Sequence, residues 1–130
     1  MNIYVNTLEE IAESGNLRMS ITKIKVEFSK DPLEAILQAN RVIWGHYSDH
    51  AKVCCISALA TVSAPRYHEA LRASIEAALW HKERVVRDAS AIALIRLDDV
   101  SSLKALEALQ RFHPEAAAIE SAIKSLLIPL

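Results

Sequence analysis

His46 and His50 stand four residues apart with Asp49 beside them, a spacing that on one continuous helix would bring two imidazoles to a single metal ion. Gly45 and Ser48-Asp49 instead mark a turn between helices, and no HExxH pattern accompanies the pair, so solvated turn histidines and no metal are expected. Cys54 and Cys55 are adjacent. Neighbouring helical side chains point roughly 100° apart, so a bridge between the two would be strained, and both are expected as reduced, small core residues. His68, beside Tyr67 and near Arg72, could titrate in an interface or pack as a partly covered polar residue. Asp98-Asp99 has the look of turn and cap residues. The chain carries neither a glycine-rich phosphate loop nor a nucleophile elbow, and its two glycines could hardly build a tight backbone cradle. No catalytic residue and no cofactor is therefore expected, and the chain is read as non-enzymatic.

Trp80 is the more pointed signal. On a helical wheel of Arg66 to His81 it falls with Glu69, Ala73 and Glu76, away from the face of Leu71, Ile75, Ala78 and Leu79. Flanked by His81, Lys82 and Arg84, it can serve as an interface anchor, or it can fold back over its own hairpin and cover the core. Trp44 groups with Leu33 and Leu37 instead, so the two tryptophans are expected to differ in exposure.

The elements that would hold these residues are helices. A composition 52% hydrophobic with two glycines, four prolines and 5% aromatics leaves few turns and favours helix over sheet. At 130 residues the chain is one domain, able to bury a core without disulfides. Asn6 and Glu9 have capping-box spacing, with Gly15 placed to end a short helix. Leu17 to Phe28 fits a helix and also alternates like a strand at Ile24, Val26 and Phe28; helix is preferred because a lone strand would lack a partner. Asp31 as N-cap, Pro32 at the first helical position, Glu34 in the first turn and Gly45 at the far end punctuate a helix whose expected buried face is Leu33, Ile36, Leu37 and Trp44. Further helices are expected over His50 to Ser63, Pro65 to His81, Arg84 to Leu97, Ser102 to Phe112 and Pro114 to Leu127. In Arg84 to Leu97 the wheel collects Val85, Val86, Ala89, Ile92, Ala93 and Leu97 on one arc, opposite Arg84, Arg87 and Asp88.

Short connections make consecutive helices antiparallel hairpins, and the hairpins repeat. Ala58-Leu59 superposes on Ala93-Leu94, pairing Lys52 with Arg87, Cys54 with Ala89 and Val62 with Leu97; a second shift brings Ala122-Ile123 onto Ala93-Leu94. Ile43-Trp44 and Leu79-Trp80 both precede the turn. The segment VRDASAIALIRLDD, with Val86, Arg87, Ala89, Ser90, Ala93 and Leu94, resembles the second helix of short HEAT repeats of the type found in phycobilisome lyase proteins. The resemblance covers roughly residues 65–112 well, 31–64 and the last helix more loosely, and nothing before Lys30. Ile95 stands where such repeats often have glycine, and the proline often found in their first helix is missing. The repeats and the resemblance together imply an all-α, HEAT-like α-solenoid of about three antiparallel helix hairpins, to which residues 1–30 would add an N-terminal cap segment.

In such a stack each second helix leaves a narrow stripe uncovered. Here it would carry Arg84, Arg87, Asp88 and Ala91, then Asp49, Lys52, Val53 and Ile56 before it, and Glu120 and Lys124 after it. Adding the turn residues, the expected partner-binding set is Asp49, Lys52, Ile56, Trp80, Lys82, Arg84, Arg87 and Asp88. A mixed-sign row suits another protein, as for a dedicated inhibitor such as an immunity protein, or a small adaptor; equally, these can be ordinary solvated charges. The alternatives are a nucleic-acid binder using Lys52, Lys82, Arg84 and Arg87, which the net charge of −1 disfavours, and an accessory or lyase for bilin attachment, as among the HEAT-like lyases. With no apolar run of spanning length and no secretory-signal pattern, the expectation is a cytoplasmic protein without a membrane segment. The tail SLLIPL would either pack onto the last hairpin or make a homodimer contact.

Overall fold

The computed structural model describes residues 22, 26, 28–62 and 65–127, and among them every regular element is helical and no strand forms. Thr22, Val26 and residues 28–30 are helical, with Phe28 fully buried and Val26 exposed, which favours helix over strand at the end of the Leu17 to Phe28 segment. The expected helix ended by Gly15, and the last residues of the SLLIPL tail, lie outside the described residues.

Helix α1 (Pro32–Trp44) begins as its punctuation requires: Asp31 Oδ1 accepts from the Glu34 N–H at 3.2 Å and Pro32 occupies the first turn. Its packed face keeps Ile36 of the expected set but not the rest. Ala35, Ile36, Gln38, Ala39, Val42 and Ile43 are buried, whereas Leu33, Leu37 and Trp44 are each about half exposed. The small residues Ala35 and Ala39 allow neighbouring helices close to the α1 backbone, and that close packing decides the orientation over the size of the leucines. Helix α2 (Asp49–Thr61) is capped by Ser48, whose Oγ accepts from the Ala51 N–H at 3.1 Å. It is buried almost all round, through Ala51, Lys52, Cys54, Cys55, Ile56, Ala58 and Leu59, as a helix with neighbours on several sides must be.

A 3₁₀ turn (Pro65–Tyr67) leads into α3 (His68–Ala78), which buries Leu71, Ile75, Ala78 and the following Leu79, the expected face. Asn40 Nδ2 donates to Ser74 Oγ at 3.0 Å and fastens α1 to α3. Helix α4 (Arg84–Leu97) buries Val86, Ser90, Ala91, Ala93 and Leu94. Val85 and Ile92, expected inside, are about half exposed, and Ala91, expected on the open stripe, is fully covered. The arc is thus rotated by roughly one residue step, about 100°. Asp98 ends α4 in the left-handed region, at φ 50°. Asp99 then caps a second 3₁₀ turn (Val100–Ser102) by accepting from the Ser101 N–H at 2.9 Å, so both aspartates are turn and cap residues as their positions suggested. Helix α5 (Leu103–Phe112) follows, and α6 (Ala117–Leu127) closes the described chain. Helix α6 starts later than the expected Pro114, because Pro114 and Glu115 form a turn in which Ala116 N–H bonds His113 O at 3.1 Å.

The pairs α1 with α2, α3 with α4, and α5 with α6 pack as hairpins. The second members also pack in order, α2 on α4 and α4 on α6, with α1 against α3 in the other layer. Ala58-Leu59, Ala93-Leu94 and Ala122-Ile123, matched by the sequence offsets, are all buried. Leu126 packs on the core while Leu127 remains exposed. Among the described residues no helix is long and apolar enough to cross a membrane.

Candidate functional site

The α1–α2 turn lies against the α3–α4 turn at one end of these layers, and the two enclose a cleft of about 530 Å³. Gly45 makes the first turn possible: a Cβ there would lie 2.5 Å from the Arg41 carbonyl oxygen and 3.1 Å from the Tyr47 ring. Any side chain at Gly45 would force the chain away from the end of α1.

His81, only 4% exposed, joins the two turns. The Glu83 N–H donates to its Nδ1 at 3.0 Å, so Nε2 carries the proton and donates to the Ile43 carbonyl, also at 3.0 Å. The Trp44 ring covers this imidazole with centroids 5.2 Å apart, and Arg87 Nη1 ties the turn down from α4 by donating to the carbonyls of His81 at 3.0 Å and Lys82 at 2.9 Å. Sequence reasoning treated His81 only as a neighbour of Trp80. Its partner Ile43 is 38 residues away, and nothing local announces the contact.

Trp80 is half exposed and meets Phe112 edge-on at 5.7 Å between centroids, while Phe112 itself is 71% exposed. Trp44 is exposed to the same degree as Trp80, 50%, which corrects the expectation that the two would differ. Both occupy the repeat position just after a buried Ile43 or Leu79, so stacking similar hairpins delivers them to one edge. Trp44, Trp80 and Phe112 make an open aromatic row there of two ring pairs, Trp44 on the covered His81 and Trp80 on Phe112.

The other expected site residues divide. Asp49, Lys52, Trp80 and Lys82 line the cleft. Arg84 is exposed and pairs with Asp88 at 3.7 Å, one turn along α4. Arg87 is half-buried and committed to the turn carbonyls. Ile56 is fully buried between helices, as is Ala91, so neither reaches a partner. The continuous open stripe is therefore interrupted where α2 and α4 press together, and its charged ends collect at the turns. On α6, Glu120 and Lys124 pair with each other at 3.0 Å beside a separate shallow hollow.

A second polar cluster lies at the start of α3. His68 Nε2 donates to Asp99 Oδ2 at 2.8 Å, and Arg72 bonds Glu69, bonds Glu76 at 2.8 Å and approaches Asp99 at 3.5 Å. His68, Glu69 and Asp99 offer donor atoms within 4.8 Å of one another, as a metal site would, but the Arg72 guanidinium already supplies positive charge in their midst. The hydrogen bond from His68, then the Ser101 N–H, with Arg72 assisting, holds the Asp99 carboxyl down at about 2. The hydrogen bond to Glu69, reinforced by Glu76 and Asp99, raises the already high pKa of Arg72. This is an ion-pair network that fastens α3 to the turn after α4.

His46 is exposed at its turn, while His50 is half-buried within α2 and its Nε2 has no hydrogen-bond partner among the described residues. Cys54 and Cys55 are free and fully buried. Burial pushes the Cys54 thiol up to about 11 and, with the charge of Cys54 adding to it, Cys55 higher still. Both thiols stay protonated near neutral pH, which disarms them as nucleophiles. Comparison with family models, characterised proteins and solved structures finds no match.

Proposed function

We propose that the chain is a HEAT-like helical-repeat module that binds one partner protein without catalysing a reaction, using the edge where its helix turns meet. The single observation that carries this reading is the aromatic row. Trp44, Trp80 and Phe112 stand half or more exposed along one edge, each held by a ring contact that limits its freedom. Large, pre-ordered amphipathic rings lose little entropy on binding and dominate interface energies. The order in which α2, α4 and α6 pack supports the repeat architecture, and the mixed charges of Asp49, Lys82, Arg84 and Asp88 around the rings suit a polar rim.

The nucleic-acid alternative loses most of its cations to other duties. Lys52 is buried, Arg87 is bonded to turn carbonyls and Arg84 is paired with Asp88, so a backbone-tracking groove has little to draw on. The test begins by replacing Glu115, an exposed residue just past α5, with a photoactivatable amino acid and identifying the protein it captures. The affinity of that protein is then measured against the Trp80→Ala and Phe112→Ala variants. Each substitution should weaken binding by about 10-fold or more while helical circular dichroism persists. Full affinity in the folded double variant overturns the proposal.

A further inference from the structure

Lys52 presents an imbalance that the rest of the fold does not resolve. Its side chain is 6% exposed, yet it lines the cleft, and among the described residues no carboxylate comes within the 4.0 Å of an ion pair. Its ammonium lies 3.5 Å from His81 Nε2, which is already donating its proton to Ile43 O and has no lone pair to offer it. Asp49, three residues back on α2, is exposed and lines the same cleft, but it forms no ion pair with Lys52. A covered cation without an acceptor is costly, and such a group facing a cavity is complementary to an anion that enters it.

The surroundings narrow the anion. Both tryptophans line the same cleft, so the body attached to the charged group meets flat apolar surface. Asp49 and Glu83 line the cleft together with Lys52 and the exposed Lys82, so its carboxylates and ammoniums balance, and a single negative charge unbalances it less than a dianion such as a phosphate monoester. One buried ammonium balances one charge. The volume of about 530 Å³ falls in the range of small-ligand pockets.

We propose that Lys52 is the anchor of a monocarboxylate-binding site, with the carboxylate seated on its ammonium and a flat apolar body held between Trp44 and Trp80. This goes beyond the docking edge, because it assigns a chemical class of ligand to the cleft. The carboxylate has two sources: a free aryl or alkyl carboxylic acid, or a glutamate beside an apolar residue in a partner protein.

The two tryptophans are the only ones in the chain and both line the cleft, so intrinsic fluorescence reports on it directly. The full chain is titrated with phenylacetate and, separately, with a capped hexapeptide carrying one glutamate between two leucines. Phenylacetamide and the glutamine peptide serve as neutral counterparts. At least one acid should bind saturably and about 10-fold or more tighter than its amide, since the differential is one charge-assisted hydrogen bond in a covered site. Whichever acid binds more tightly identifies the source. Lys52→Met, which keeps the aliphatic volume and removes the charge, should lose that preference while its circular dichroism and thermal transition stay cooperative. Lys104→Met, the same charge change on α5, should retain it. Absence of saturable binding by both acids, equal binding of acid and amide, or a preference that survives in Lys52→Met overturns the inference. None of these outcomes touches the partner-protein reading, which is tested through Trp80 and Phe112 on captured protein.

Discussion

Asp99 does three things at once: it caps the 3₁₀ turn, accepts from His68 and lies near Arg72. Its carboxyl titrates at about 2, below the ordinary value of 3.8, so the folded state prefers the charged form. The stabilisation is therefore present above pH 4 and is lost as pH falls from about 4 toward 2, where the folded carboxylate also takes its proton. Asp99→Asn keeps the oxygen that caps Ser101 but loses the charge. It should cost about 1 kcal/mol at pH 6, because His68 is partly solvated and the pair is screened, and the deficit should shrink toward zero near pH 2. Urea unfolding midpoints collected across that range measure it. A deficit that grew on acidification would mean that another group carries the effect. The capping role was legible in the sequence, since aspartate two residues before a free N–H is a local pattern. The bond from His68, 31 residues upstream, was not, because it needs α3 laid beside the turn first.

At the scale of one helix, α4 shows what a wheel can and cannot say. Its boundaries follow from local signals, with the arc of apolar residues beginning at Val85 and Asp98-Asp99 supplying the stop. Which side faces inward does not follow, because a wheel weights large apolar residues such as Ile92, whereas helices approach most closely over small ones such as Ser90 and Ala91. Ala91→Leu should then overpack the seam and cost about 1–3 kcal/mol, while Ile92→Ser, on the open side, should shift stability by about 0.5 kcal/mol or less. Chemical denaturation of the two variants decides the matter, and the reverse ranking would restore the face read from the wheel. The same weighting misplaced Leu33, Leu37 and Trp44 on α1, where Ala35 and Ala39 make the contact.

Across the whole molecule α4 is the hub, packed by α2 and α6 on its flanks and by its own hairpin partner α3. Leu94, fully buried there, is matched by Ile123 on α6, whose main helix contacts among the described residues are with α4 and α5 and where Ile123 is 9% exposed. Leu94→Ala should cost about 3–5 kcal/mol and Ile123→Ala about 2 kcal/mol, since a flanked site cannot collapse around the cavity as an end site can. Urea titrations followed by circular dichroism give both values. Equal losses would argue against a hub.

Helix content, cap positions, hairpin connections and the repeat of Ala58-Leu59 at Ala93-Leu94 and Ala122-Ile123 were determined by the sequence alone, because each depends on hydrogen bonds and spacings within a few residues or on direct comparison of segments. The place of Trp80 away from the face of Leu71, Ile75 and Leu79 was read in the same way, and Trp80 is half exposed. The burial of Ile56 and Ala91, the shared exposure of both tryptophans, the bond from His81 to Ile43 and the stranding of Lys52 beneath the cleft were decided only by the tertiary structure. Burial is a property of what lies opposite a side chain, and here what lies opposite belongs to another hairpin some thirty to forty residues along the chain.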